Sequence, residues 1–342
     1  MNMKISLLYG IVGSSLAISP IIANAEDTPN FVKSLSENLT FSGLMQAEVS
    51  NGSDFANTDR SDVRLDTLQL GIDTKANEWI SGHVVFLYEE DLTEPMALDE
   101  ASVTLGGSEE TPAFFTIGQM YIPFGVYDSN MISDPFTLQL AETNQSAIQV
   151  GYSKDEFYGS VYAFNCDTQK AGDDQMECFG ANIGMNHEDG DTSITLEAGY
   201  ISNIADTGGL DSDTGVDEYS GGYALSANIG LGDFSLIGEY ISALDAVEYT
   251  GGSKFEPTAY TVEATYSFTI MEKDSIFALG YQATDELPGI LPETRIMGVL
   301  GTDLTENVSV ALEYFWDEDY SIDDGGTDET AQQVTAQVAL SF

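Results

Sequence analysis

The chain of 342 residues carries 10 Lys and Arg against 57 Asp and Glu, a formal net charge of −47. Such a surface is a poor partner for nucleic acid and for anionic head groups. Beyond the N-terminal region no stretch approaches the ~20 uninterrupted apolar residues of a spanning helix, so a membrane-spanning form of this chain has to cross with strands.

Residues Met1 to Lys4, the apolar run Ile5 to Ile22 and Ala23-Asn24-Ala25 form a charged n-region, an h-region and an A-x-A cleavage site. They read as a signal peptide over residues 1–25, so the mature protein is exported. The absence of a cysteine at the cleavage point argues against a lipid anchor. Residues 26–38 read as a short periplasmic segment before the first strand.

From Leu39 onward the chain breaks into sixteen alternating segments. They cover approximately 39–49, 61–75, 79–88, 96–105, 113–120, 147–153, 157–166, 178–187, 192–202, 220–231, 233–243, 258–269, 275–283, 293–301, 308–317 and 330–342. Most approach the ~9 to 11 residues of a tilted bilayer-crossing strand. Short connections (76–78, 154–156, 188–191, 232, 270–274) alternate with long ones (50–60, 121–146, 203–219, 244–257, 318–329). This is the layout of an all-β, transmembrane antiparallel β-barrel of 16 strands in the outer membrane. An even strand count places both barrel ends on the short-turn, periplasmic side.

Alternation assigns faces. In the twelfth segment Tyr260, Val262, Ala264, Tyr266 and Phe268 share one side, expected to meet lipid, and Thr261, Glu263, Thr265 and Ser267 the other. Tyr223, Phe234, Tyr240, Tyr260, Phe268, Tyr314 and Trp316 fall near segment ends, where aromatic girdles sit. Glu48, Glu197, Glu239, Glu263 and Glu313 fall on the inward side and would bias a pore toward cations. Arg64 and Arg295 are their expected partners, too few to neutralise them all. Cys166 and Cys178, twelve positions apart in an exported chain, suit a disulfide across one loop. No metal site is expected at those cysteines, no His being near. Asp211-Ser212-Asp213-Thr214-Gly215 matches half of a calcium loop but lacks the distal Glu. The acidic loops are suited to bridging lipopolysaccharide phosphates through divalent cations.

The stretch Gly118 to Glu142 interrupts the alternation. Pro123 cannot donate to a ladder and Gly125 permits positive φ, so the strand ending near Met120 must stop. A second break follows at Ser133-Asp134-Pro135. Between them apolar and polar residues mix without helical or strand period, and a structureless connection of this length is uncommon unless functional. It reads as a constriction loop over about 121–146 folded into the pore, with Tyr121, Asp128, Asn130, Asp134 and Glu142 as solute contacts. A loop packed over the outer rim is the alternative.

The closing alternation, Ala331 to Phe342, ends on an aromatic and resembles the signal read by the outer-membrane assembly machinery. Gly118-Gln119-Met120-Tyr121-Ile122-Pro123-Phe124-Gly125 resembles an element of several trimeric or specific porin families. The continuation Tyr127 to Pro135, with Leu138, Leu140, Glu142, Thr143 and Ser146 to Gly151, resembles the LbtU family of siderophore porins. That resemblance implies a sixteen-stranded outer-membrane barrel without a plug domain that admits a ferric siderophore for iron uptake. It implies no ligand-contact residues. The expected partners are outer-membrane lipid and lipopolysaccharide, the assembly machinery and a ferric siderophore or other small solute, with homo-oligomerisation open; no cofactor is expected.

A non-specific or cation-preferring diffusion porin uses the same architecture and stands as the alternative. An anion-specific pore is disfavoured because no Lys or Arg lies between Lys75 and Lys154. An outer-membrane hydrolase would have to draw on His83 or His187, and no enzyme activity is expected. A surface-antigen role can coexist with either porin reading.

Overall fold

The computed structural model describes residues 38–342 except 91, 171–174, 213 and 253; the expected signal peptide lies outside the described residues. Nineteen strands are present among the described residues. The first eight are β1 (Leu39–Ser53), β2 (Asp59–Asn77), β3 (Ile80–Glu89), β4 (Thr93–Gly106), β5 (Ala113–Tyr121), β6 (Asn144–Lys154), β7 (Phe157–Phe164) and β8 (Cys178–Asp189). They continue with β9 (Thr192–Ile201), β10 (Val216–Glu218), β11 (Gly222–Leu231), β12 (Phe234–Ala243), β13 (Val247–Tyr249) and β14 (Lys254–Phe255). The last five are β15 (Thr258–Ile270), β16 (Lys273–Asp285), β17 (Thr294–Thr305), β18 (Val308–Glu318) and β19 (Thr330–Ser341).

Sixteen of these close into an antiparallel barrel, each paired with its sequence neighbours once β10, β13 and β14 are set aside. Closure comes from β1 on β19, in register from Leu44 opposite Ser341 to Ser53 opposite Gln332. Gly43 and the terminal Phe342 add two backbone bonds of 2.8 and 3.0 Å. A closed ladder satisfies every strand N–H and C=O without water, which lipid cannot supply. All sixteen expected strands are present.

Exposure follows the alternation. In β15 Val262, Ala264 and Tyr266 are exposed while Thr261, Glu263 and Thr265 are buried. Aromatics pair across strands toward both rims: Phe234 with Tyr266 at 4.8 Å by the short turns, and Tyr223 with Tyr240 and Tyr260 with Tyr281 at about 6 Å by the long loops. The short turns are mostly two residues, and Met271-Glu272 takes positive φ at both positions (50° and 65°), the twist that a two-residue hairpin requires.

Four connections differ from expectation. The first long loop, 50–60, contracts to a turn at 54–58, because the Asp54 carboxylate accepts from Ala56 and Thr58 N–H (3.0 and 2.9 Å) and lets both strands run on. Loops 202–221 and 244–257 build a three-stranded sheet from β10, β13 and β14, elements of two or three residues that are too short to show a period. Within the loop read as structureless, Phe136–Ala141 forms one short helix, α1. It buries Phe136, Thr137, Leu140 and Ala141 on one face, the i, i+4 spacing of a helix, but six residues give too little sequence for that spacing to be recognised.

Cys166 and Cys178 are joined, closing loop 165–177 with its ends 5.7 Å apart at Cα. Closing so short a loop contributes on the order of 3 kcal/mol in the chain-entropy model. Cys166→Ser/Cys178→Ser is therefore expected to lower the urea midpoint of the refolded protein while leaving the strand signature in circular dichroism intact. An unchanged midpoint would show that the outer loops already hold this connection.

Candidate functional site

The site grows from the break at Pro123. The motif glycines have identifiable jobs. At Gly118 (φ 144°) a Cβ would stand 2.1 Å from the Ala101 carbonyl oxygen of β4, and at Gly125 (φ 95°) it would strike the Tyr127 ring. Tyr127 is itself left-handed (φ 60°), and its hydroxyl donates back to the Phe124 carbonyl, which ties the turn.

Beyond that turn the segment is irregular, so its N–H groups lack ladder partners, and a buried unpaired N–H costs about as much as a lost hydrogen bond. Three strand carboxylates supply acceptors. Glu239 on β12 accepts from Val126 N–H (2.7 Å) and Tyr127 N–H (3.2 Å). Glu263 on β15 accepts from Asn130 N–H (3.1 Å), the Asn130 amide (2.5 Å) and the Ser129 hydroxyl (3.0 Å). Glu313 on β18 accepts from Ile132 N–H (2.6 Å), Ser133 N–H (3.2 Å) and the Ser133 hydroxyl (2.5 Å). Gln282 on β16 accepts from Phe136 N–H at 3.0 Å. The contacts recur every third residue as the segment crosses the buried face of β12 to β18.

The back of the segment is apolar. Phe124, Phe136 and Leu140 are fully buried among Phe164, Ile201, Ile241 and Ala259 of the strands and Ile204, Leu210, Val216, Val247, Leu287 and Leu291 of the outer connections. Each such side chain contributes roughly 1.5–3 kcal/mol. The end of α1 is capped from above: Gly208 and Gly209 N–H donate to Glu142 and Leu140 carbonyls, and the Thr207 hydroxyl to Leu140 at 2.7 Å. Asp206, buried beside them, accepts from Asp167 and Thr168 N–H (2.6 and 2.7 Å) and so ties in the disulfide loop; burial pushes its carboxyl up to about 7.

The segment thus packs against the interior over β7 to β15, and a larger open space lies against the opposite wall. A cavity of about 400 Å³ is bounded by β1 to β4 and β17 to β19 on one side and by Tyr121 and residues 127–142 on the other. Its acidic lining is Glu48, Asp66, Glu89, Asp99, Asp134 and Glu142; its bases are Arg64 and Arg295. Both bases are already paired. Arg64 reaches Glu48 (3.0 Å) and Asp66 (2.7 Å). Arg295 makes a two-pronged pair with Asp317 (2.7 and 2.8 Å) and lies between the Phe315 and Phe136 rings at 4.1 and 4.8 Å.

Of the residues expected to contact solute, Tyr121, Asn130, Asp134 and Glu142 border this cavity. Asp128 does not; it accepts from Asn228 on β11 at 3.0 Å, in a separate small crevice. Among the five inward acids only Glu48 lines the cavity, Glu197 is held by the Tyr158 hydroxyl at 2.6 Å, and the other three bind the segment. Glu89 and Asp99, which sequence reasoning did not single out, line the cavity, Asp99 taking the Tyr121 hydroxyl at 3.1 Å. The signal for Glu89 was present, since it continues the inward series Val85, Leu87, whereas Asp99 is the extra residue at a register shift of β4 opposite Val85 and Phe86, where alternation assigns no face. His83 pairs with Asp73 and His187 with Glu156, each at 2.7 Å. Among the described residues no group of side chains is arranged to hold a metal ion.

No family model matches the chain. In sequence it is similar to a UPF0422 protein of Coxiella burnetii, 28% identical over 326 residues that cover 89% of this chain and 70% of that one. A UPF0422 protein of Legionella pneumophila strain Lens is 25% identical over 354 residues, and the chain spans 66% of its length. In structure the barrel is similar to an anion-selective porin from Comamonas acidovorans, with a TM-score of 0.64 at 12% identity, covering 89% of this chain and 99% of that one.

Glu142, on the loop and outside the strands, is pushed up to about 8 by burial and then by Asp134, Glu89, Asp99 and Glu100. A carboxyl raised on folding favours the protonated folded form, so its contribution is complete below the ordinary value near 4.5 and is lost as pH rises through about 8. Urea midpoints of the wild type are expected to fall between pH 5 and 9 more steeply than those of Glu142→Gln. Parallel curves for the two proteins would sink this assignment.

Proposed function

We propose that the protein is an outer-membrane porin whose conduit favours cations. The observation that carries this reading is the lining of the cavity: six carboxyl groups, of which Glu142 is largely protonated at neutral pH, against two guanidinium groups, both of which are already engaged by acids. Net negative charge in a narrow, partly dehydrated passage raises the local cation concentration and opposes anions. The barrel it sits in has the porin fold, an exposed apolar band such as Val262, Leu279, Leu300 and Leu312, and aromatic pairs near both rims. These features support placement in the outer membrane.

The siderophore reading enters here as the finer proposal. It rests on the resemblance of the Tyr127 to Gly151 region to siderophore porins. On this lining the cargo has to be a ferric chelate without net negative charge, since an anionic one would meet Glu89, Asp99 and Asp134.

Planar bilayers under a potassium chloride gradient test the first statement. The wild type is expected to reverse toward the potassium potential, and Glu89→Gln/Asp99→Asn to move the reversal toward zero. Anion preference, or a reversal potential indifferent to both substitutions, would overturn it. Titrating a neutral or cationic ferric siderophore and its iron-free form into the outer chamber tests the second. Block at micromolar levels by the ferric form alone is the expected result, and indifference to both leaves a general porin.

A further inference from the structure

We infer that Glu239, Glu263 and Glu313 are positioning residues that set the bore of the conduit and take no part in its charge selectivity. This inference rests on the porin reading and goes beyond it. Acids on the inner face of a pore ordinarily suggest selectivity, but none of these three lines the open cavity, and Glu263 and Glu313 are each 1% exposed. Their oxygens are occupied by the segment itself, on Val126 and Tyr127, on Ser129 and Asn130, and on Ile132 and Ser133.

Chemistry explains why carboxylates stand there. Each accepts from two adjacent positions of the irregular segment, Glu239 through N–H groups alone and Glu263 and Glu313 through N–H groups and hydroxyls together, and an ionised acid offers about four lone-pair sites with no hydrogen to misdirect. An amide of the same shape keeps one acceptor oxygen and turns an NH₂ group toward N–H donors. Glu→Gln at these positions is therefore close to neutral in volume and disruptive in hydrogen bonding. The cavity wall formed by Ser129 to Asp134 is the part of the loop that Glu263 and Glu313 hold, so loosening them moves the wall and leaves Glu89 and Asp99 in place.

The experiment compares wild type, Glu263→Gln/Glu313→Gln and Glu89→Gln/Asp99→Asn. Amide exchange by mass spectrometry reads positioning whether or not the protein conducts. Protection over 130–133 is expected to fall at least about tenfold in the first variant, the equivalent of one lost charge-assisted bond, with strand amides and the Val126 and Tyr127 amides, still held by Glu239, unchanged. In bilayers the same variant is expected to show raised open-channel noise and altered unit conductance at an unchanged reversal potential, while the second variant shifts the reversal potential at unchanged noise. Adding Asn130→Cys/Thr265→Cys to the Glu263→Gln background, at a pair now 3.1 Å apart through Nδ2 and Oγ1, is expected to quieten the current when oxidised and to release it on mild reduction. The Glu263→Gln parent serves as the control for the native disulfide. Unaltered exchange in Glu263→Gln/Glu313→Gln, or a shifted reversal potential at wild-type noise, would overturn the inference. A wild type that passes no current would count against the porin reading alone, because amide exchange still decides the positioning role.

Discussion

Backbone satisfaction is the constraint on which this molecule turns. A barrel solves it for strands by closing the ladder, from β1 round to β19. The chain between Ile122 and Thr143 leaves the ladder and has to find acceptors where neither water nor a neighbouring strand is freely available. Glu239, Glu263, Glu313 and Gln282 provide them from four different strands, and each bond to an ionised partner contributes roughly 1.5–3 kcal/mol. The same set of bonds chooses one path for an otherwise irregular segment.

Hydrophobic packing then decides which half of the interior stays open. Phe124, Phe136 and Leu140 join the barrel wall to the outer connections in one apolar cluster, and Thr207 to Gly209 close over the end of α1. With the segment packed on that side, a cavity of about 400 Å³ lies against β1 to β4 and β17 to β19. Arg295 links the two halves: its charge is answered by Asp317 and its faces by Phe136 of the loop and Phe315 of the wall. A guanidinium so enclosed works as a structural joint, since its charge is largely cancelled before it reaches the cavity.

Carboxylates inside this barrel therefore fall into groups by what meets them. Those answered by backbone N–H groups hold the loop, Glu48 and Asp66 are answered by Arg64, and Glu89, Asp99, Asp134 and Glu142 face the cavity without a base among the described residues. Residue type and inward orientation are the same in all three groups. What differs is the partner, and the partner decides whether a charge is left facing the cavity or acts on the protein's own backbone.

The sequence by itself determined the barrel: a side-chain period of two, connections short and long in turn, and aromatics at segment ends are local properties that can be read residue by residue. Pro123 and Gly125 likewise announced where the ladder stops, and Cys166 with Cys178 their joining. The role of each inward acid was not legible, because Glu263 and Glu89 both fall on the inward side of their strands, and alternation does not say what lies across the lumen from each. The helix at Phe136–Ala141 and the small sheet of β10, β13 and β14 were hidden for a related reason, being too short to carry a period and dependent on partners distant in sequence. Tertiary structure alone brought Val126 to Ser133 onto β12, β15 and β18, contacts more than a hundred residues apart. No local pattern encodes a pairing across that separation, so only the closed barrel could decide which carboxylates hold the loop and which are left facing the cavity.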